Sequence, residues 1–283
     1  MRRIRGVVVI ALAMTLVGCA GQEGDADPAS VDAMLDVEKV PGVLVAPYEH
    51  FVQIDPDAPE DEIVTTALAV RDIVDGMGED RPRDLEIVAV YPGDPYVNTT
   101  FTTTSYDDPD RFEDDVRLWA GLLDDGFTQV SYVTASEGAG AGTLAVFSEG
   151  QGDAGKTLAE TYGAIEQSVS EPPYSDAPPS LYASVDRASI SNKSGRADLG
   201  DAWIEPSEEL ASLDYLTSAR VSLTPDETWV SLVGDAGLTA EQAAQIMAVL
   251  TDRGVLGPAV NVIHTDRSAL PKDSKTTLYG VAE

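Results

Sequence analysis

The residues from which this chain could make chemistry are two histidines, one cysteine and 49 carboxylates. His50 and His264 lie far apart, and neither has a second His or a Cys at the spacing a zinc site needs. There is no Gly-x-Ser-x-Gly elbow, and no Ser-x-x-Lys pair stands where a nucleophile would be presented. The run Gly138-Ala139-Gly140-Ala141-Gly142 does not lead into a helix or end in Gly-Lys-Ser/Thr, so it is not a phosphate cradle. A glycosidase needs only two carboxylates flanking a bond, but with so many acids a pair can always be chosen and the choice carries no information. Asp55-Pro56-Asp57 and Asp107-Asp108-Pro109-Asp110 look superficially like calcium loops, yet they lack the alternating Asp order, the glycine and the closing bidentate glutamate. Acids at helix starts are expected anyway, since each is stabilised there by about 0.3–1 kcal/mol. The sequence therefore nominates no catalytic residue, no metal ligands and no cofactor. Tyr91, Tyr96, Phe101 and Tyr106 gather around one turn. Half-buried sheet packing accounts for them better than a binding edge does.

The elements that would position any site follow from periodicity. Val43 to Val45 and Phe51 to Ile54 read as strands. Asp57 and Glu60 suggest a capping box, with Pro59 in the first turn. The following helix has Ile63, Ala67, Val70 and Val74 on one face and stops at Gly76. Leu85 to Tyr91 and the threonine-rich Asn98 to Ser105 are strands. A second helix, led by Asp107 and Asp108, buries Phe112, Val116, Trp119 and Leu123 and ends at Gly126. Phe127 to Thr134 and Thr143 to Ser148 are further strands, and a helix is expected over 153–169. Beyond the proline-rich 171–179, Leu181 to Ile190 reads as one long strand and Pro206-Ser207 as the start of a short helix. Arg220 to Leu223 and Thr228 to Val233 form a hairpin. A helix capped by Thr239 and Gln242 carries Ala243, Ile246, Met247 and Leu250 and stops at Gly254. Val260 to His264 and Thr276 to Val281 close the chain. Strand, acidic turn, helix, glycine and strand recur around Ile63, Phe112 and Ile246, which suggests related modules.

The expected fold is α+β: two sandwich domains of antiparallel or mixed sheet packed by helices. The first, residues 41–170, has the βαββαβ order of a ferredoxin-like sandwich with an added strand and helix. Residues 171–179, with four prolines, read as a linker, and 180–283 as the second domain.

The N-terminus carries the most specific pattern. Arg2, Arg3 and Arg5 precede an apolar run from Gly6 to Val17, then Leu16-Val17-Gly18-Cys19. Such a run is too short to cross a bilayer and has the layout of a secretory signal. With a leucine three residues before the only cysteine and small residues between, it resembles the lipobox of bacterial membrane lipoproteins. That resemblance covers residues 1–20 alone. It implies a signal peptide over 1–18, a diacylglycerol thioether on Cys19, cleavage after Gly18 and often a third acyl chain on the new amine. No free thiol would then remain. Two or three acyl chains anchor stably, since each buried CH₂ contributes about 0.8 kcal/mol and one chain holds only marginally. Residues 19–40 would be the lipidated cysteine and an acidic, flexible tether with a typical reach of about 25 Å. The protein would sit on the extracytoplasmic face of the cell membrane.

Charge sets the classes of partner. The chain has 18 basic and 49 acidic residues. Loss of residues 1–18, with three arginines and no acid, leaves 15 bases and a formal charge of −34. Such a surface repels nucleic acid and anionic headgroups, so the membrane partner is reached through the lipid on Cys19. The expectation is a non-catalytic binding or interaction module, with an envelope protein or a small ligand as partner. The alternatives are a small-ligand or cation-binding lipoprotein and, with less in its favour, a carboxylate-based hydrolase. If the acids serve only solubility, sodium and calcium at equal ionic strength should raise the melting temperature to similar degrees by screening repulsion. A saturable rise at micromolar calcium, absent in sodium, would instead demonstrate a cation site.

Overall fold

The computed structural model describes residues 28–48, 50–91, 98–104, 108–127, 129–134, 142–148, 156–194, 197–270 and 273–280. The lipobox with Cys19, the glycine run from 138 to 141, Tyr96 and Tyr106 lie outside the described residues.

The fold is α+β, built by repetition of a hairpin and a helix. Helix α1 (Pro28–Val37) leads into the hairpin β1 (Val43–Tyr48) and β2 (Phe51–Ile54), followed by α2 (Glu60–Asp75). The same order returns as β3 (Leu85–Val90), β4 (Asn98–Thr103) and α3 (Pro109–Asp124), then β5 (Val130–Val133), β6 (Thr143–Ser148) and α4 (Leu158–Ser168). It continues with β7 (Ser180–Val185), β8 (Ala188–Asn192) and α5 (Ala197–Ala211), and with β9 (Ser218–Leu223), β10 (Thr228–Gly234) and α6 (Ala240–Asp252). A last hairpin, β11 (Val260–Asp266) and β12 (Lys275–Tyr279), completes it. All of these strands form one 12-stranded sheet in which spatial order follows chain order. Within each hairpin the pairing is antiparallel. Between successive hairpins, where a helix crosses over, it is parallel. Crossovers between parallel strands are right-handed in about 98% of cases. A constant hand puts every crossover helix on the same face, and α2 to α6 indeed contact one another in sequence.

The strands alternate accordingly. Val52, Ile54, Ile87, Phe101, Val130, Leu144, Val146, Leu181, Ile190, Val221, Leu232 and Val262 are buried under the helices, as period-2 geometry requires. Among the described residues no helix packs on the opposite face. One register row on that face links Val45, Gln53, Val88, Thr100, Ser131, Ala145, Tyr182, Ser191, Ser222, Trp229 and Asn261 from β1 to β11. That row contains no charged residue.

Several expectations need correction. Two separate sheets were expected, but β6 and β7 pair over six residues on either side of the proline-rich segment. Prolines exclude regular structure within 171–179 without interrupting the sheet, because the segment only returns the chain from α4 to β7. A split βαβ separates its two parallel strands by another strand, whereas β2 and β3 are direct neighbours. The ferredoxin-like arrangement therefore does not describe 41–170. The tether gives way to α1 at Pro28, where Ala33 and Val37 turn inward and are buried. No capping box forms at α2: Pro59 occupies the cap position without a side-chain bond. The long strand over 181–190 is a hairpin turned at Asp186, whose φ is 49°, a left-handed conformation that Asp tolerates better than most residues. Pro206 lies inside α5 and does not start it. The Ser207 hydroxyl donates to the Trp203 carbonyl at 2.6 Å and supplies a donor in the turn where proline has none.

Because the sheet is continuous, residues on both sides of 171–179 should report one cooperative unfolding transition. Leu144→Ala on β6 and Ile190→Ala on β8 should each cost about 2–5 kcal/mol and shift the same denaturant midpoint. Two transitions, each sensitive to one substitution only, would show that the halves fold separately.

Candidate functional site

Buried polar groups are the places where chemistry could be housed, and most of them lie between helices and sheet. The largest cluster is centred on Asp115 of α3, which is 4% exposed. The Tyr132 hydroxyl on β5 and the Tyr174 hydroxyl both donate to its Oδ1, at 2.7 and 2.8 Å. Arg111, one helical turn earlier, places Nε 3.3 Å from Oδ2, and its guanidinium lies 4.6 Å from the centre of the Tyr174 ring. Burial, reinforced by the Asp115 carboxylate, pushes the Tyr132 phenol well above its usual range. Burial, together with Tyr132 and Asp115, does the same for Tyr174. These phenols therefore stay protonated as donors. The Asp115 carboxylate is thus engaged by three side chains, two phenols and a guanidinium. The cluster works as a pin: it fastens the 171–179 segment to α3, although proline composition alone suggests an exposed linker.

A second polar contact joins α4 to β8. The Asn192 amide donates to the Tyr162 hydroxyl at 2.8 Å, and burial pushes that phenol up to about 12. Gly200 of α5 makes room for it, since a Cβ there would stand 2.0 Å from the hydroxyl oxygen. Near Trp119, the Thr99 hydroxyl accepts from the indole N–H at 3.1 Å and donates to the Val130 carbonyl at 2.7 Å. The threonines of β4 that face the helices are thus engaged in packing.

The residues singled out by sequence are dispersed. His50 follows β1 and stacks on Tyr48 at 5.6 Å. His264 is on β11, 1% exposed, and its Nε2 has no hydrogen-bond partner. It fits because residue 234 is glycine; a Cβ there would come within 2.9 Å of Nε2. Phe101 is fully buried against Phe112, Trp119 and Tyr132. Asp55 accepts from the Asp57 backbone at 2.9 Å. Asp108 caps α3 by accepting from the Arg111 N–H at 3.0 Å. Glu60 and Asp61 both accept from Arg117, which also holds Glu113, and these bonds raise the Arg117 pKa further. Among the described residues no three His, Cys, Asp or Glu side chains converge to hold a metal ion. No described helix is long and apolar enough to cross a membrane.

Three depressions lie among the described residues. One depression of about 300 Å³ lies between Lys156, Arg187 and Glu208. Another, of about 410 Å³, lies beside Arg117 and Tyr174. A third, of about 640 Å³, is lined by Arg81, Arg83 and Thr104. The Asp115 carboxylate lines none of these three, and neither does His264. Sequence reasoning missed Asp115, Tyr132 and Tyr174 as a unit. The i, i+4 spacing of Arg111 and Asp115 was the one local signal; the tyrosines arrive from distant strands and turns. Comparison of the chain with protein-family profiles, curated proteins and solved structures returned no match.

His264 gives a test by pH. Burial holds its imidazole below the ordinary value of 6.5, against the opposing pull of Asp266. As pH falls through 6.5 the unfolded chain takes up this proton before the folded one does. Native stability must then drop with falling pH, from 6.5 down to the depressed folded value. His264→Gln should remove that component, so wild type should lose more stability than the variant between pH 7.5 and 5.5. Parallel pH profiles of the two denaturant midpoints would contradict the assignment.

Proposed function

We propose that this is a lipid-anchored extracytoplasmic protein whose sheet face binds another component of the cell envelope without catalysis. The anchor part rests on Leu16-Val17-Gly18-Cys19 and the apolar run before it. The binding part is carried by one observation: the uncharged row on the open face of the sheet, in a chain of net charge −31. One adjoining row, Phe147, Ser184, Ser189, Arg220, Ser231 and Ile263, adds a single charge, and the row on the other side, with Thr102, Val133 and Thr143, adds Glu86. Arg220 is itself held by the Tyr182 hydroxyl at 3.1 Å and the Ser189 hydroxyl at 3.4 Å. Val88, Ser184, Ser189 and Asn261 are buried within the face, and what it offers is the half-buried hydroxyls of Thr100, Ser131, Ser191 and Ser222 with the rings of Phe147, Tyr182 and Trp229. It suits a broad, weakly charged partner better than a small ion. Asp115 is held by three side chains and lines none of the three depressions, which supports a non-catalytic reading.

The two parts are tested separately. Cys19→Ser should move the protein from the membrane fraction to the soluble fraction without lowering its melting temperature. Equal retention of both forms would remove the anchor. Ala145→Glu and Ser222→Glu place charges on two well-separated strands of the row, at partly exposed sites where stability should change by only about 0.5 kcal/mol. When intact cells are treated with an amine-reactive cross-linker, the yield of adducts between this protein and other envelope components should fall several-fold in both, with anchoring intact. An unchanged yield would remove the open face as the binding surface.

A further inference from the structure

Exposed apolar side chains are concentrated at one end of this molecule. Seven large hydrophobic residues are exposed among the described residues, and five of them, Val31, Leu35, Leu44, Val45 and Tyr48, belong to α1 and β1. Leu44 and Tyr48 are the most open of the five, each at 59%. On α1, Ala33 and Val37 face inward and are buried. Val31 and Leu35, also four residues apart, share the opposite face. The helix packs on β1 and α2, so its outward stripe and the edge strand belong to the same end of the sheet.

The patch does not suit pairing by another strand. Among the described strands β1 pairs only with β2. However, Pro47 contributes no N–H, and the β1–β2 register is irregular on both sides of Val45. Both features blunt an edge against strand addition. The apolar side chains, not the backbone, are what this edge offers. A second copy is disfavoured as occupant, because the chain left after residue 18 carries −34 and two such molecules repel.

Chain length indicates what lies opposite. From Cys19 to Pro28 there are nine residues, which span at most about 32 Å even when fully extended. The 12-stranded sheet, at about 4.8 Å per strand, extends ~50 Å from β1 to β12. An acyl group on Cys19 therefore keeps the α1–β1 end close to the lipid and leaves the β12 end free to stand away. Tyrosine is suited to such an interface, apolar in body and polar at its tip. We propose that the α1–β1 edge rests on the lipid–water interface, with Val31, Leu35, Leu44, Val45 and Tyr48 in contact with zwitterionic lipid. The sheet would then project from the bilayer strand by strand, presenting its uncharged row outward along its length. This inference rests on the lipid-anchor reading above.

The test uses the full chain in cells, with a photo-activated diazirine amino acid placed at Leu35, at Leu44 or at Leu270. Leu270 is also exposed, at 66%, but precedes β12 at the far end. Irradiation of the membrane fraction should give phospholipid adducts several-fold more abundant at positions 35 and 44 than at 270. Leu35→Asp should lower the adduct yield at position 44 without changing the melting temperature. Equal phospholipid yields at all three positions would overturn the proposal. So would adducts at 35 and 44 made to protein instead, whether to a second copy or to an envelope component. The distribution of Cys19→Ser between fractions decides the anchor independently. If that variant and wild type are retained alike, the anchor reading fails while the adduct pattern still decides the edge.

Discussion

The structure depends on one constraint: a hairpin followed by a helix cannot bury its own apolar surface. Each β-hairpin offers a single apolar face, and each helix covers the junction between its own hairpin and the next. Phe101 packs against Phe112 and Trp119 of α3, α4 lies against β6 and β7, and Ile87, Val116, Leu144, Val146, Leu158 and Ile165 belong to the same buried core. Units of this kind gain stability only by stacking on neighbours, as in other repeated architectures. The parallel pairing between hairpins is what makes the stack continuous. It explains why the sheet passes the proline-rich segment unbroken, and why Tyr174 in that segment is drawn into the core through Asp115.

The same constraint separates the two faces chemically. Helices must present a polar outer surface, and in this chain that surface is strongly acidic. Arg117 and Arg253 each hold more than one carboxylate there. These pairs are exposed and contribute little each, but they relieve some of the repulsion among neighbouring acids. The sheet face opposite the helices has a different task. Its side chains stand close together across strands, where like charges directly opposite would destabilise. Serine and threonine meet that requirement at small volume, and the Thr100 hydroxyl donates to Ser131 on the neighbouring strand at 3.2 Å.

Much of the local structure was legible in the sequence, since it depends on short-range signals. Thr239 and Gln242 do form a capping box, Asp108 caps its helix, and Gly126 and Gly254 adopt the positive φ expected at helix ends. The inward faces of the helices containing Ile63 and Phe112 are buried as the period indicated. What was not legible depends on distant partners. Val185 to Ala188 has no Asn-Gly or Gly-rich turn, and Asp186-Arg187 alone marks the hairpin within a stretch otherwise of strand composition. Thr157 and Glu160 form a capping box that shortens the helix expected over 153–169. Strand order is the clearest case. The sequence βαββαβ is compatible with interleaved strands and with strands laid down in order, and only the pairing of β2 with β3 decides between them.

The candidate site was the least legible feature, for a physical reason. Asp115 appears as one acid among 49; it differs from the others only through the burial and the two phenols that surround it. The uncharged row is likewise spread over eleven strands, one residue from each, so no window of sequence contains it. Threonine in β4, serine in β8 and tryptophan in β10 each read as ordinary strand composition. They become a surface only because the register brings Thr100, Ser191 and Trp229 to the same level across the sheet. A function carried by such a row belongs to the repetition of the fold, and the residues that carry it leave no local motif.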